Sequence, residues 1–508
     1  MFKLLFLKIF LLASGVVSMT SETKQAPWNQ FRGPNGSGVA VFARPPIEIG
    51  MNHTAWNVPL PAGQSSPILW NDTIFLTGLE SERLVTVALA RKSGRILWKK
   101  RVPEVPLVKV HAANSVAAST PCVDEKSLYV YFGSYGLLCY DHNGQERWNR
   151  PIPTPRSTYG MSTSPILYRD LLILVLDDSA NLQGSRLSRS KVIALNKSNG
   201  KLVWETPRPF NRDGWSTPMI WKHTYGTDLA VLGQGRVYGY DPKTGEEKWY
   251  VSGFSRETIA VPVEGNGRLH VSSSMLGGRG DEKLDPEPFW SAVLQFDRNG
   301  NNQIERTEIS EHFTIPFRPE LPPGHPGFGY PLPKDPDQRR KRQLGFFERN
   351  DKNKDGVWSK DEFLASMSNS RTKPNLAAIR PGGEGDITDT HVFWNVRRGI
   401  PEIPSPVFHK NRLYFVRDGG MLSCVNAEIG EMVYQERIGA TGQYSASPVI
   451  ANDYVYLVSS RGVITVVKSG DDFSITHQED LNVKVFATPA IDENTLYIRT
   501  VRGLMAFR

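Results

Sequence analysis

Two twelve-residue stretches, 297–308 and 351–362, carry oxygen-bearing side chains at the spacing a hard divalent cation needs. Calcium takes about six to eight oxygens, and a loop of this length offers them from positions 1, 3, 5, 7, 9 and 12. In the second stretch those positions hold Asp351, Asn353, Asp355, the Val357 carbonyl, Ser359 and Glu362, with Gly356 at the sharp turn. In the first they hold Asp297, Asn299, Asn301, the Gln303 carbonyl, Glu305 and Glu308. Asn302 stands where the turn glycine is usual. Asparagine tolerates positive φ, so the turn survives at some cost.

The elements that must position these donors are legible on either side. Phe289, Trp290, Val293, Leu294 and Phe296 precede the first stretch, Leu344 and Phe347 precede the second, and Phe363, Leu364 and Met367 follow it. Such apolar sets predict short helices that bury one face together. Ile304 and Trp358, at the eighth position of each stretch, suit a short β contact between the loops. The two stretches resemble EF-hands, and the resemblance implies two bound calcium ions. Residues 314–336 between them hold eight Pro and three Gly in 23 positions, which predicts an extended linker.

The rest of the chain is organised by a repeat. A small or β-branched residue followed by proline recurs at Ser66-Pro67, Thr120-Pro121, Ser164-Pro165, Thr217-Pro218, Val261-Pro262, Ser405-Pro406, Ser447-Pro448 and Thr488-Pro489. The intervals are 54, 44, 53, 44, 144, 42 and 41 residues, so one interval alone holds an insertion, the one with the calcium stretches. Alternating runs such as 127–131 and 454–458 follow the prolines and predict half-buried strands. A second landmark is a turn glycine with an aromatic four residues on: Gly94/Trp98, Gly144/Trp148, Gly200/Trp204, Gly245/Trp249 and Gly430/Tyr434. The glycine suits a hairpin needing positive φ, and the indole then packs against the neighbouring sheet.

A period of 41 to 54 residues with about four short strands predicts a β-propeller. From Thr488 onward there is room for three strands only, so residues 54–58 are expected to supply the fourth and close the ring. The expected fold class is all-β: an eight-bladed β-propeller with a small α-helical EF-hand insertion. The expected boundaries are 1–18 for a signal peptide, 19–53 for an N-terminal extension, 54–274 and 388–508 for the blades, and 275–387 for the insertion.

The stretch Tyr240-Asp241-Pro242-Lys243-Thr244-Gly245-Glu246-Glu247-Lys248-Trp249 resembles the repeat of pyrroloquinoline-quinone (PQQ)-type propellers. The segment Trp28-Asn29-Gln30-Phe31-Arg32-Gly33-Pro34-Asn35-Gly36 resembles the opening of exported planctomycete-type members. The resemblance covers about residues 28–274 and 388–508, and it implies two classes of function. One is a binding or scaffold propeller, similar in repeat type to the BamB assembly factors, meeting a protein or glycan partner at a propeller face. The alternative is a PQQ-dependent quinoprotein dehydrogenase. Such enzymes carry an adjacent Cys-Cys disulfide ring against the cofactor, and here no two cysteines are adjacent. No catalytic residue is assigned.

Composition narrows the setting. The 508 residues carry 60 Lys+Arg and 52 Asp+Glu, a formal charge of +8, too weak a bias to specify nucleic acid. The densest basic run, Arg339-Arg340-Lys341-Arg342, lacks interleaved aromatics and reads as a solvated helix face. Residues 1–18 combine Lys3 and Lys8, an apolar core and a small-residue end, the pattern of a secretory signal, and the apolar run is too short to span a membrane. An exported, periplasmic or extracellular monomer with no transmembrane segment is expected. Cys122, Cys139 and Cys424 are too few for a disulfide scaffold; Cys122 and Cys139 either pair or remain buried thiols. There is no HExxH, no G-x-S-x-G elbow and no phosphate-loop ending after Gly277-Gly278-Arg279-Gly280.

Overall fold

The computed structural model describes residues 26–180, 188–209, 211–212, 214–255, 257–274, 286–316, 322–324, 328–329, 332–333, 335–368 and 374–508. The expected signal peptide lies outside these residues. Eight sheets, each built on four antiparallel strands and two of them extended by a short parallel fifth, follow one another around an axis. Numbered along the chain, blades 1 to 8 cover residues 68–101, 122–151, 166–207, 219–252, 263–396, 407–437, 449–480 and 490–507. Blade 8 contributes three strands, and Thr54–Pro59 joins it antiparallel to Gly503–Phe507, Asn57 opposite Met505. Residues from both halves of the chain thus share one sheet, and this pairing completes the eighth blade. Among the described residues no helix is long and apolar enough to cross a membrane.

Five of the eight blade junctions share one repeated contact. Trp98 of blade 1 donates from Nε1 to the His142 carbonyl of blade 2 at 2.9 Å, and Trp148 of blade 2 donates to the Lys197 carbonyl of blade 3 at 3.0 Å. Trp204 and Trp394 do the same toward Pro242 and Ala427, and Trp56 of the closing strand reaches Arg91 of blade 1. The turn glycine of the receiving blade lies beneath the indole. Gly144, at φ 82°, leaves no room for a Cβ under Trp98, so backbone freedom and close approach both require glycine there. A β-bulge in every outer ladder, for example between Glu146 and Trp148, aims the ring outward onto the neighbour.

Trp249 departs from the expected pattern: its Nε1 donates to Asp228 Oδ2 of its own blade at 2.8 Å. Blade 5 offers no tight glycine turn to receive it, because residues 380–391 include the strand Gly385–Asp386, paired beside Trp249, and the helix Thr388–His391.

The same register explains the cysteines. The residue opposite each docking aromatic is small: Ala88 faces Trp98, Cys139 faces Trp148, Ala194 faces Trp204, Ala378 faces Trp394, and Cys424 faces Tyr434. Cys139 and Cys424 therefore fill the position that alanine fills in other blades. Cys122 and Cys139 both flank Tyr129 from opposite sides, so two strand spacings, roughly 9.5 Å, separate them. That exceeds disulfide reach, and all three thiols are free and buried. Burial pushes the Cys139 and Cys424 thiols up to about 12, far from nucleophilic use.

Candidate functional site

Two places carry the residues to be weighed: the axis of the ring and the insertion in blade 5. At the axis, the residue before each landmark proline points inward. The Ser66 N–H donates to Thr120 Oγ1 at 2.9 Å, the Thr120 N–H to Ser164 Oγ at 3.0 Å, and the Ser164 N–H to Thr217 Oγ1 at 3.1 Å. On the other side of the ring Val261 donates to Ser405 Oγ, Ser405 to Ser447 Oγ and Ser447 to Thr488 Oγ1, at 2.9 to 3.0 Å. The repeated Ser/Thr-Pro is thus a relay that stitches inner strands together. Proline forces the preceding residue into an extended backbone, and the hydroxyl is short enough to accept from the neighbouring chain. Seven of the eight positions carry a hydroxyl; Val261 is the exception.

A second ring lies one step toward the mouth, three residues before each proline. Around it stand Gln64, Ala118, Ser162, Trp215, Ile259, Ile403, Ser445 and Phe486. The first ring is nearly uniform and the second is varied. The two enclose a cavity of about 200 Å³. Ala113, Asn114 and Tyr159, from the connections after blades 1 and 2, form part of the rim. Trp215 is held by Nε1 bonds to the Gly160 carbonyl at 2.8 Å and Ser157 Oγ at 3.1 Å, and Tyr159 meets it edge-on at 5.3 Å.

The floor comes from the N-terminal segment, whose Phe31 reaches the cavity. That segment crosses the axis and takes up the free edges of the inner strands. The Trp28 carbonyl accepts from Leu69 N–H of blade 1, and Asn29 exchanges two bonds with Val123 of blade 2. Asn35 exchanges two with Ile220 of blade 4, Arg32 Nη2 donates to the Pro406 carbonyl of blade 6, and Val39–Ala40 pairs in parallel with Ile450–Ala451 of blade 7. The 28–36 segment is therefore a plug whose role no spacing rule announces.

None of the described residues lining this cavity is charged. The buried ion pair on the same face, Arg208–Asp177 at 2.8 Å, has both side chains 1 % exposed and is spent on holding a connection of blade 3. Sequence reasoning found the eight prolines but not the two rings. The Pro–3 positions could have been aligned from those prolines, yet their side chains share no chemistry.

The insertion leaves blade 5 between its second strand, Arg268–Ser273, and its third, Asn375–Ile379. Strands alternate in direction, so this hairpin connection lies on the same face as the blade-to-blade connections around the cavity mouth. Helices α1 (Pro286–Val293), α2 (Pro336–Asn350) and α3 (Lys360–Ser368) bracket the two stretches. Trp290, Val293, Ile304, Phe313, Phe347, Trp358 and Phe363 pack as one core. Ile304 stands directly opposite Trp358, and Glu305 opposite Val357, in a two-residue antiparallel ladder.

Within 297–308, Asp297 accepts from the Gly300 and Asn302 N–H groups, both at 2.8 Å, and Asn302 adopts φ 61°. Asn299 Oδ1 accepts from Asn301 N–H, and Asn301 Oδ1 from Gln303 N–H. Glu305 Oε1 takes both asparagine side-chain amides at 3.0 Å, while Glu308 accepts from Arg298 and Glu305 N–H. Within 351–362, Asp351 Oδ2 accepts from Gly356 N–H and Asp355 Oδ1 from Val357 N–H. Asn353 joins Asp355 through both its amide atoms. Glu362 closes the loop onto Lys352 N–H at 2.7 Å and onto the N–H and hydroxyl of Ser359. Those bonds hold the Glu362 carboxyl below its ordinary value against the opposing effect of burial. Asp351 is 8 % exposed, and its Oδ1 is buried with no hydrogen-bond partner. Among the described residues, no three His, Cys, Asp or Glu side chains converge closely enough to hold a metal.

Comparison with known proteins agrees with the ring. Searched against curated proteins, the chain finds no match. Among solved structures it is similar to the quinohemoprotein alcohol dehydrogenase ADHIIG of Pseudomonas putida HK5 (12 % identity, 94 % of this chain, 76 % of that one, TM-score 0.50). It is also similar to a europium-containing methanol dehydrogenase (10 %, 94 % and 89 %, TM-score 0.50). BamB from Moraxella catarrhalis matches at 11 % identity over 89 % and 97 % of the chains, TM-score 0.48.

A quinone cofactor can be tested against the cavity lining. PQQ is a tricarboxylate, and a metal beside it needs anionic oxygen donors. The described lining has neither cation nor carboxylate, so it does not fit that group. The profile described as outer membrane protein assembly factor BamB matches residues 49–217 and 385–508, more than half of the chain. On that match the chain belongs to the PQQ-type repeat family of outer membrane protein assembly factor BamB.

Proposed function

We propose that the protein is an exported binding propeller that receives its partner at the axial cavity and carries a calcium-binding insertion. The observation that carries this reading is the uncharged lining: proton transfer is run most often by His, a carboxylate or Lys, and none of these lines the cavity among the described residues, where Tyr159 is the one titratable group. Hydroxyls, amides and aromatic rings supply recognition instead.

The calcium assignment rests on the donor set. Asp351 Oδ1 is a buried acceptor without a donor, a state that a cation at the loop centre relieves. Positive φ at Asn302 and Gly356 bends each stretch at the position where the sharp turn belongs, and the Ile304–Trp358 ladder couples the two loops. Outside the cell such modules work at about 10⁻⁴ to 10⁻³ M affinity, so occupancy is constitutive and structural.

The experiment is a pair of titrations on the purified full chain. Calcium calorimetry is expected to give binding heat at two sites. Absorbance with added PQQ is expected to show neither a bound-quinone spectrum nor dye reduction with alcohols. Quinone-dependent turnover would replace the binding reading with the dehydrogenase one.

A further inference from the structure

We propose that the axial cavity is a site for a neutral pyranose, free or as the end unit of a glycan; this rests on the binding reading above. Six of the eight positions of the varied ring form two arcs, and Ser445 and Phe486 of blades 7 and 8 complete the circle between them. Gln64, Ala118 and Ser162 of blades 1 to 3 are small or polar, while Trp215, Ile259 and Ile403 of blades 4 to 6 are apolar. Below them the hydroxyl ring narrows the cavity. Its members are 1 to 3 % exposed. Six of them already accept a backbone N–H, which leaves each with its own proton to donate. Ser66 Oγ is buried with no partner at all.

Three classes of occupant can be weighed against that arrangement. An ion would lose its hydration among groups that offer no counter-charge. An aliphatic side chain from a protein would match the apolar arc, but it would seal the hydroxyl donors from water without replacing their bonds, and unmet buried donors are costly. A pyranose matches both arcs: its C–H faces pack between the Phe486 and Trp215 rings, which stand four blades apart across the axis, and its hydroxyls meet Gln64, Ser162 and the ring below. Trp215 is fixed before any ligand arrives, by the Gly160 and Ser157 bonds, so little ordering remains for binding.

The test is calorimetry with intrinsic tryptophan fluorescence on the full chain, using glucose, methyl β-glucopyranoside, N-acetylglucosamine and cellobiose. Saturable binding of at least one is expected, weakened tenfold or more by Phe486→Ala and by Ser162→Asp. Phe486→Tyr, which keeps the ring face, and Leu202→Ala, on an exposed outer strand, should retain it. Preference for the methyl glycoside and cellobiose would identify a glycan end, and preference for glucose a free sugar. No saturable signal from any saccharide, or binding indifferent to Phe486→Ala in a variant with unchanged melting, overturns the assignment. If quinone turnover is also absent, the sugar assignment alone fails; turnover with PQQ sinks the binding reading beneath it.

Discussion

The backbone N–H of Val261 donates to Ser405 Oγ at 2.9 Å, although 144 residues separate them. The bond belongs to the same relay that joins Ser66 to Thr120 across 54 residues, so the long interval is one blade with an insertion and no extra blade. The relay runs past the insertion at the same 2.9 Å spacing that joins Ser66 to Thr120. The inserted helices are thus joined to the ring within blade 5, between its second and third strands.

Removing a relay acceptor should weaken that seam. Ser405→Ala strips the buried Val261 N–H of its partner in a position where water has little access, a loss worth about 1–3 kcal/mol. A lower denaturation midpoint is expected, while Val261→Thr, which keeps the donor and adds a hydroxyl, should leave the Ser405 bond in place. An unchanged midpoint for Ser405→Ala would mean that the relay is ornamental.

Deletion of residues 1–60 removes both the closing strand Thr54–Pro59 and the plug that satisfies inner-strand edges. Gly503–Phe507 would then present an unpaired edge, which templates association. Light scattering during size exclusion should show aggregates. A monomer of unchanged melting temperature would refute closure by the N-terminal strand.

How far the sequence spoke depends on whether a position's chemistry repeats. The Ser/Thr-Pro and Gly/Trp landmarks repeat because each performs one backbone task in every blade, so eight blades and the closing strand could be read directly. Trp394 and Trp56 dock as the others do, yet Trp394 follows a connection too long to show the Gly–x–x–x–Trp spacing, and Trp56 is remote from its blade. The varied ring was illegible for the opposite reason: Gln64, Trp215, Ile259 and Phe486 share a height on the axis and no side-chain property. Arg32 was equally silent. Its guanidinium is fully buried with one carbonyl partner, and burial holds it down to about 9. Only the assembled ring shows that the segment bearing it lies across the axis.

His270 gives a pH signature. Its ring is sandwiched between Trp394 at 5.5 Å and Phe408 at 5.9 Å, with Nε2 3.2 Å from the Gly265 carbonyl. Burial, aided by the nearby Arg268 charge, pushes the imidazole down to about 4. The folded state thus favours the neutral ring, and the unfolded state takes up the proton first as pH falls. This contribution is complete above the unfolded value near 6.5 and is lost as pH drops toward 4, about 3 kcal/mol in all. Chemical denaturation of wild type and His270→Phe at pH 7.5 and 4.5 should show a smaller acid loss for the variant. Equal losses would place the proton uptake elsewhere.

Glu362 and Glu308 occupy the twelfth positions of the two loops, and their substitution would separate the two proposed calcium sites. Glu362 would offer two oxygens to a loop that also has Asp351 and Asp355, whereas 297–308 has Asn301 at the place of Asp355. More anionic oxygen offsets more of the ion's lost hydration, so the 351–362 loop should bind more tightly. Asn302 at φ 61° adds backbone cost to the weaker loop. Glu362→Gln should abolish the stronger calorimetric phase and lower the melting temperature measured in calcium, since a ligand that binds only the folded state stabilises it by mass action. Glu308→Gln should remove the weaker phase and leave the stronger one within a factor of a few, the residual coupling passing through Ile304 and Trp358. In chelator, Glu362→Gln still loses the carboxylate that accepts the Lys352 N–H, so a modest drop in melting temperature remains without metal. Calcium heats that are absent from the wild type, or that survive both substitutions intact, would overturn the assignment of these loops.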